Sequence, residues 1–223
     1  MIAGLRRSDD PAVRERVFHD VAGNSISSSR PLGGIGGRAA GRTRSGSAAV
    51  STGGRVEAVE RDDDLIAMAR EVIDSNRYMT LGTTEPDGRP RVSPVYFTHH
   101  GYRDFYWVSS PTAQHSVNIA ARPTVAIVIF DSSAPVGDGQ AVYLSAHAAL
   151  IGDGELAHHC AQAFSRIDSG AVAFTPQDLS GDARLRLYRA EATTYEVHIR
   201  GRDPIYGTGV DTRHEIRVTS ALP

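Results

Sequence analysis

Arg91, the hydroxyls of Ser109, Ser110 and Thr112, and the side chains of Gln114 and His115 are residues whose types and spacing suit the binding of an anion. A guanidinium presents parallel N–H donors that match two oxygens of a phosphate. A hydroxyl-rich turn that opens a helix adds backbone N–H groups with no partner inside the helix, at the positive end of its dipole. His115 would contribute titratable charge and Gln114 polar contacts. Together they read as a site for a phosphate-bearing ligand; the plain alternative is an ordinary polar strand–helix junction.

The elements that must position these residues are legible around them. Val95, Phe97, Phe105, Trp107 and Val108 are strand formers, and residues 99–103 between them carry a turn glycine. Pro111 and Thr112 suit a helix start, and Val117 with Ile119 gives the following helix a small apolar face. Upstream, Asp62, Asp63 and Asp64 are candidate caps for a helix whose apolar face is Leu65, Met68, Ala69, Val72 and Ile73. Pro86-Asp87-Gly88 predicts a hairpin turn between strands at 78–84 and 91–98. Downstream, TVAIVIF at 124–130 reads as a strand buried on both faces or at a subunit contact. A long strand at 140–151, a helix at 155–164 and two strand-like pieces within 184–199 follow, with a short strand near 216–218. Strands and helices without a regular βαβ repeat favour a closed antiparallel barrel over a doubly wound sheet.

Composition excludes several function classes. The chain has 223 residues and a net charge of −2, which gives no general reason to bind nucleic acid. No apolar run reaches the length of a membrane span. The one cysteine, Cys160, cannot form an internal disulfide framework and reads as a buried small hydrophobe, in a reduced, cytoplasmic setting. There is no lysine, so a Schiff base to pyridoxal phosphate is unavailable. The adjacent pairs His99-His100 and His158-His159 point apart on a strand or helix and chelate poorly, so no metal is expected. Residues 1–55 hold nine arginines against four acids, and 21–54 have no acid and are dense in Gly, Ser and Arg. Such a composition predicts a disordered extension over 1–61 and a folded domain over 62–223.

Between about residues 62 and 199 the chain resembles the pyridoxamine 5'-phosphate oxidase-like family of FMN-binding split barrels. The segments that carry the resemblance are MTLGTTEPDGRP (79–90), RVSPV (91–95), FYWVSS (105–110), AQHSVNI (113–119), Arg122-Pro123 and the strand at 125–130, in that order and spacing. It implies a mainly β fold with short helices, a six-stranded antiparallel split β-barrel. It also implies a homodimer with FMN at its interface. The positions implied to hold the cofactor are Arg91, Val92 and Ser93; Val108, Ser109 and Ser110; Gln114 and His115; and Gln140.

Two departures from the family pattern bear on function. Gln114 and His115 stand where the pyridoxamine phosphate oxidases have Arg-Lys, and residues 211–215 do not match the segment with which those enzymes grip the substrate phosphate. Oxidation of vitamin B6 itself is therefore not expected. The expected activity is hydride transfer between FMN and a small organic substrate, with no catalytic side chain required because the flavin carries the redox step. The alternatives are a reductase of the same fold using the deazaflavin F420, a non-catalytic flavin-binding module, and a haem protein with His147 as axial ligand.

Overall fold

The computed structural model describes residues 52–216, and the side chains of 63–216. The expectations for residues 1–51 and for 217–218 lie outside the described residues. Helix α1 (Thr52–Ser75) presents Leu65, Ala69, Val72 and Ile73 as one buried face. It begins ahead of the expected caps: Asp63 and Asp64 lie exposed within it. An aspartate inside a helix costs only about 0.5 kcal/mol, too little to stop one whose apolar face continues.

Eight strands follow, all paired antiparallel: β1 (Tyr78–Thr84), β2 (Pro90–Tyr96), β3 (Thr98–His100), β4 (Asp104–Ser109), β5 (Thr124–Phe130), β6 (Ala141–Leu150), β7 (Arg186–Ile199) and β8 (Thr212–Ile216). Helix α2 (Gln114–Ala121) lies between β4 and β5, and α3 (Leu156–Ala163) between β6 and β7. The sheet runs β2-β1-β5-β6-β7-β4-β3, with β8 paired to β7. Its two ends, β2 and β3, are consecutive in the chain and separated by Phe97 alone, so the sheet must curl round on itself. This is the expected split barrel, with eight strands in place of six. The strand not expected is β3, whose two histidines resemble a turn; β8, where Ile216 is the one buried residue, lies just ahead of the short strand expected near 216–218.

The inward set is Met79, Leu81, Phe97, Phe105, Trp107, Val125, Ile127, Ile129, Val142 and Leu144, closed by the apolar face of α1. Alternation along β5 buries Val125, Ile127 and Ile129 and leaves Ala126 and Phe130 exposed, so this strand is not buried on both faces within one chain. β7 is one continuous strand where two pieces were expected. Its register with β6 shifts opposite Ser145 and Ala146, and the Thr193 hydroxyl there donates to the Ser145 carbonyl at 3.0 Å, the signature of a bulge. A second, smaller core lies on the other side of β4 and β7, where Tyr106 and Leu187 meet Leu156, Cys160, Ala163 and Leu179. Cys160 is buried there, and burial pushes its thiol above the usual range.

The arginine–helix junction as candidate functional site

The hairpin of β1 and β2 places Arg91 directly across from Thr83. Its turn is closed by the Gly88 N–H donating to the Glu85 carbonyl at 2.9 Å, with Gly88 at φ 88°, a conformation that favours glycine. β2 is an edge strand, which is why it tolerates Pro90 and Pro94. Arg91 and Val92 face solvent and Ser93 is half-buried. On the other side of the junction, Val108 and Ser109 end β4, and Ser110 begins the turn into α2.

Helix α2 has an unusual inner face: of its buried residues, His115, Ser116 and Asn118 are polar and only Ile119 is apolar. Each buried polar group needs a partner to offset its lost hydration. Asn118, 1% exposed, donates from Nδ2 to Thr83 Oγ1 at 3.0 Å and accepts from Gln114 Nε2 at 2.9 Å. His115, 4% exposed, shares a hydrogen bond of 2.8 Å between Nε2 and Ser109 Oγ. Burial lowers its pKa, and the Arg91 charge lowers it further. Arg91 is tied to this helix through Thr83, its cross-strand partner, which accepts from Asn118. At the far end of α2, the Arg122 guanidinium donates to the carbonyls of Glu85 and Pro86, both at 3.1 Å, and ties the helix to the hairpin turn.

The structure therefore brings Arg91, Ser109, Gln114 and His115 to one edge of the barrel. The hydroxyl turn behaves differently from expectation. Ala113 is the N-cap and makes no side-chain cap, while Ser110 and Thr112 bond each other through their hydroxyls at 2.8 Å. His115 is turned inward, so it offers no exposed charge. Gln140 is not part of this cluster: it precedes β6, beside the Phe130 end of β5, whereas Arg91 lies near the Thr124 end. Six strand residues separate those ends, about 20 Å. Sequence reasoning missed Thr83, Glu85, Asn118 and Arg122. The available signal for Asn118 was its position four residues after Gln114, which stacks the two on one helix face.

At the other end of β2, Tyr96 and Thr98 border a cavity of about 310 Å³ that also has Asp74, His99, Arg166 and Asp168 in its wall. His99 Nε2 lies 2.9 Å from Asp74 Oδ1, and Tyr102 donates to the other oxygen of Asp74 at 2.8 Å. Burial lowers the His99 pKa despite that carboxylate. No group of three or more metal-ligating side chains occurs among the described residues, and none of their helices is long and apolar enough to cross a membrane.

The family model described as pyridoxamine 5'-phosphate oxidase matches residues 65–198, more than half of the chain. The chain belongs to the pyridoxamine 5'-phosphate oxidase family. No curated protein matches it. One solved structure superimposes with a TM-score of 0.52 at 18% identity, covering 71% of this chain and 95% of that one, which supports the fold. Two further likenesses are a heme binding protein from Mycobacterium smegmatis and a protein related to general stress protein 26 from Clostridium acetobutylicum. The first has a TM-score of 0.49 at 21% identity, covering 66% of this chain and 56% of that one. The second has a TM-score of 0.49 at 12% identity, covering 70% and 96%.

For a member of the pyridoxamine 5'-phosphate oxidase family, the donor set at the junction fits a phosphate-bearing group. It comprises an exposed guanidinium, two half-buried serine hydroxyls and the Gln114 amide, held from behind by buried hydrogen bonds. Its members are solvent-exposed or half-buried, so in the single chain the site is an open face.

Proposed function

We propose that this protein is an FMN-binding oxidoreductase that moves hydride between the flavin and a small organic substrate, working as a cytoplasmic homodimer. The observation that carries the reading is the convergence of Arg91, Ser109 and Gln114 on one edge, backed by the His115–Ser109 and Asn118–Thr83 hydrogen bonds. Arg91, Ser109, Ser110 and Gln114 would hold the phosphate, and Val92, Ser93 and Val108 would line the approach. A bound flavin would supply the hydride chemistry; the chain's own residues bind and orient it. The cavity between Tyr96 and Asp168 has room for a small substrate. A second copy seated on the exposed face of β5, where Ala126 and Phe130 lie open, would cover the site and could bring its own Gln140 to it.

The deazaflavin F420 is the second reading, kept open by one observation that loosens the phosphate contacts by which FMN would be recognised: the start of α2 adds no exposed cation, since Gln114 is neutral and His115 is buried with a lowered pKa. An absorption spectrum of the purified full chain, with mass identification of whatever heat releases, tests both. Released FMN supports the first reading. A colourless protein stabilised against heat by F420 but not by FMN overturns it in favour of the second. A haem spectrum would refute both and turn attention to His147, which is exposed on β6. Flavin that is bound but neither reduced by nicotinamide donors nor reoxidised would leave a non-catalytic binding module.

A further inference from the structure

We propose that Glu85 determines the charge selectivity of the Arg91 site: its carboxylate already holds the Nε edge of the guanidinium that a phosphate would need and places a negative charge beside it, so the chain carries a built-in competitor for its own ligand. The proposal rests on the reading of Arg91 as a phosphate ligand. Glu85 Oε1 lies 2.5 Å from Arg91 Nε, and its Oε2 lies 3.1 Å from Arg89 Nη2. The Glu85 side chain is only 12% exposed while that of Arg91 is 42% exposed, so the carboxylate is tucked against the turn and the guanidinium reaches outward. The turn is held in place from the other side, because Arg122 binds the carbonyls of Glu85 and Pro86.

The local charge balance gives this pairing its consequence. Three guanidinia, Arg89, Arg91 and Arg122, gather on one turn against two carboxylates, Glu85 and Asp87, and Asp87 is engaged by Arg89 at 2.6 Å. His115 adds no positive charge, since it is buried behind the site. One net positive charge therefore faces an incoming anion. A phosphomonoester brings about −1.5 to −2 at neutral pH. Such a group either displaces Glu85 from the Nε edge or binds the Nη atoms with the Glu85 carboxylate beside it, and the like charge weakens binding in both cases. With Glu85 uncharged, Arg91 is free and the site carries one more positive charge.

Binding of FMN and of riboflavin, which lacks the phosphate, to the flavin-free full chain tests this by flavin fluorescence. For Glu85→Gln, FMN affinity is expected to rise roughly fivefold at low salt, as for loss of one partly exposed ion pair, with riboflavin unchanged and the gain shrinking as salt is added. Glu85→Asp draws the carboxylate back by one methylene and should shift the FMN-to-riboflavin ratio in the same direction by a smaller factor; it serves as the second variant if Glu85→Gln fails to fold. Arg91→Ala in the Glu85→Gln background should abolish the gain. If Arg91→Ala weakens FMN relative to riboflavin but neither Glu85 variant moves that ratio, Glu85 is only a turn staple and the proposal falls while the site reading stands. If no variant, Arg91→Ala included, changes the ratio, the phosphate assignment itself is wrong and the proposal falls with it.

Discussion

Two regions of this molecule gather arginines, and they are built differently. One is the junction of β2 and α2 around Arg91. The other is a groove of about 490 Å³ at the Gln140 end of the barrel, bordered by Gly137, Gly139, His198, Arg200 and Arg202. In the groove the charges staple two loops: Asp138 takes Arg202 at 2.7 Å and Arg200 at 3.7 Å, and His198 lies 3.6 Å from Asp211. The buried polar side chains among the described residues are Thr83, Thr98, His115, Ser116 and Asn118, and three of them, Thr83, His115 and Asn118, form the hydrogen-bonded scaffold of the Arg91 junction. Burying polar groups is unfavourable unless they are paired, so a fold that concentrates them in one place is holding a particular geometry there. An arginine cluster alone carries no such message.

That contrast can be broken or sharpened by substitution. The largest effect is expected from Asn118→Ala, which removes the link from α2 to Thr83 and leaves that hydroxyl buried without its donor. Thermal or denaturant unfolding should show a loss of about 2–3 kcal/mol. An unchanged midpoint would mean that the polar scaffold does not stabilise the junction. Next, Arg91→Ala should weaken FMN binding roughly 10- to 100-fold, the loss of a charge-assisted contact, while moving the unfolding midpoint little. The reverse pattern would make Arg91 a structural residue.

A smaller effect concerns acid stability. The folded-state pKa of His115 lies below the ordinary 6.5. Below that value the unfolded chain takes up a proton at this position that the folded chain resists. The contribution of His115 is therefore whole above pH 6.5 and is lost as pH falls through the window below it. His115→Gln should flatten part of the acid limb of the stability profile. It should not remove it, because His99 and His159 are shifted the same way, also mainly by burial. Equal acid limbs in variant and wild type would show that His115 protonates freely in the folded state. The smallest effect belongs to the groove: Arg202→Ala, at an exposed ion pair, should change stability by about 0.5 kcal/mol or less and leave flavin binding alone. A large loss of flavin affinity there would reverse the comparison.

Most of the architecture was readable in advance because it rests on local pattern. Alternation along β1, the Pro86-Asp87-Gly88 turn and the apolar face of α1 each follow from a few neighbouring residues, whereas the run of β-branched residues in β5 hid its alternation. β3 was missed and β8 was expected a few residues too late, because both bury too little to show a period. The site was legible only in part. Arg91, Ser109 and Gln114 could be named from residue type and order, but Asn118 and Thr83 are 35 residues apart and Arg122 reaches back 37 residues to the Glu85 carbonyl. Such contacts are made by register and packing, and no local pattern encodes them.

The sequence alone determined the mainly β class, the order of elements, the family likeness, and the absence of lysine that rules out a Schiff base. The likeness rests on the order of the quoted segments; the rest follows from composition or from short-range periodicity. Only the tertiary structure decided that His115 turns inward, that Gln140 lies at the opposite end of the barrel from Arg91, and that Glu85 pairs with the Nε edge of the Arg91 guanidinium. Strand curl and helix docking choose which side of a residue meets the core, and that choice converts a list of polar residues into a buried scaffold with Arg91 exposed in front of it.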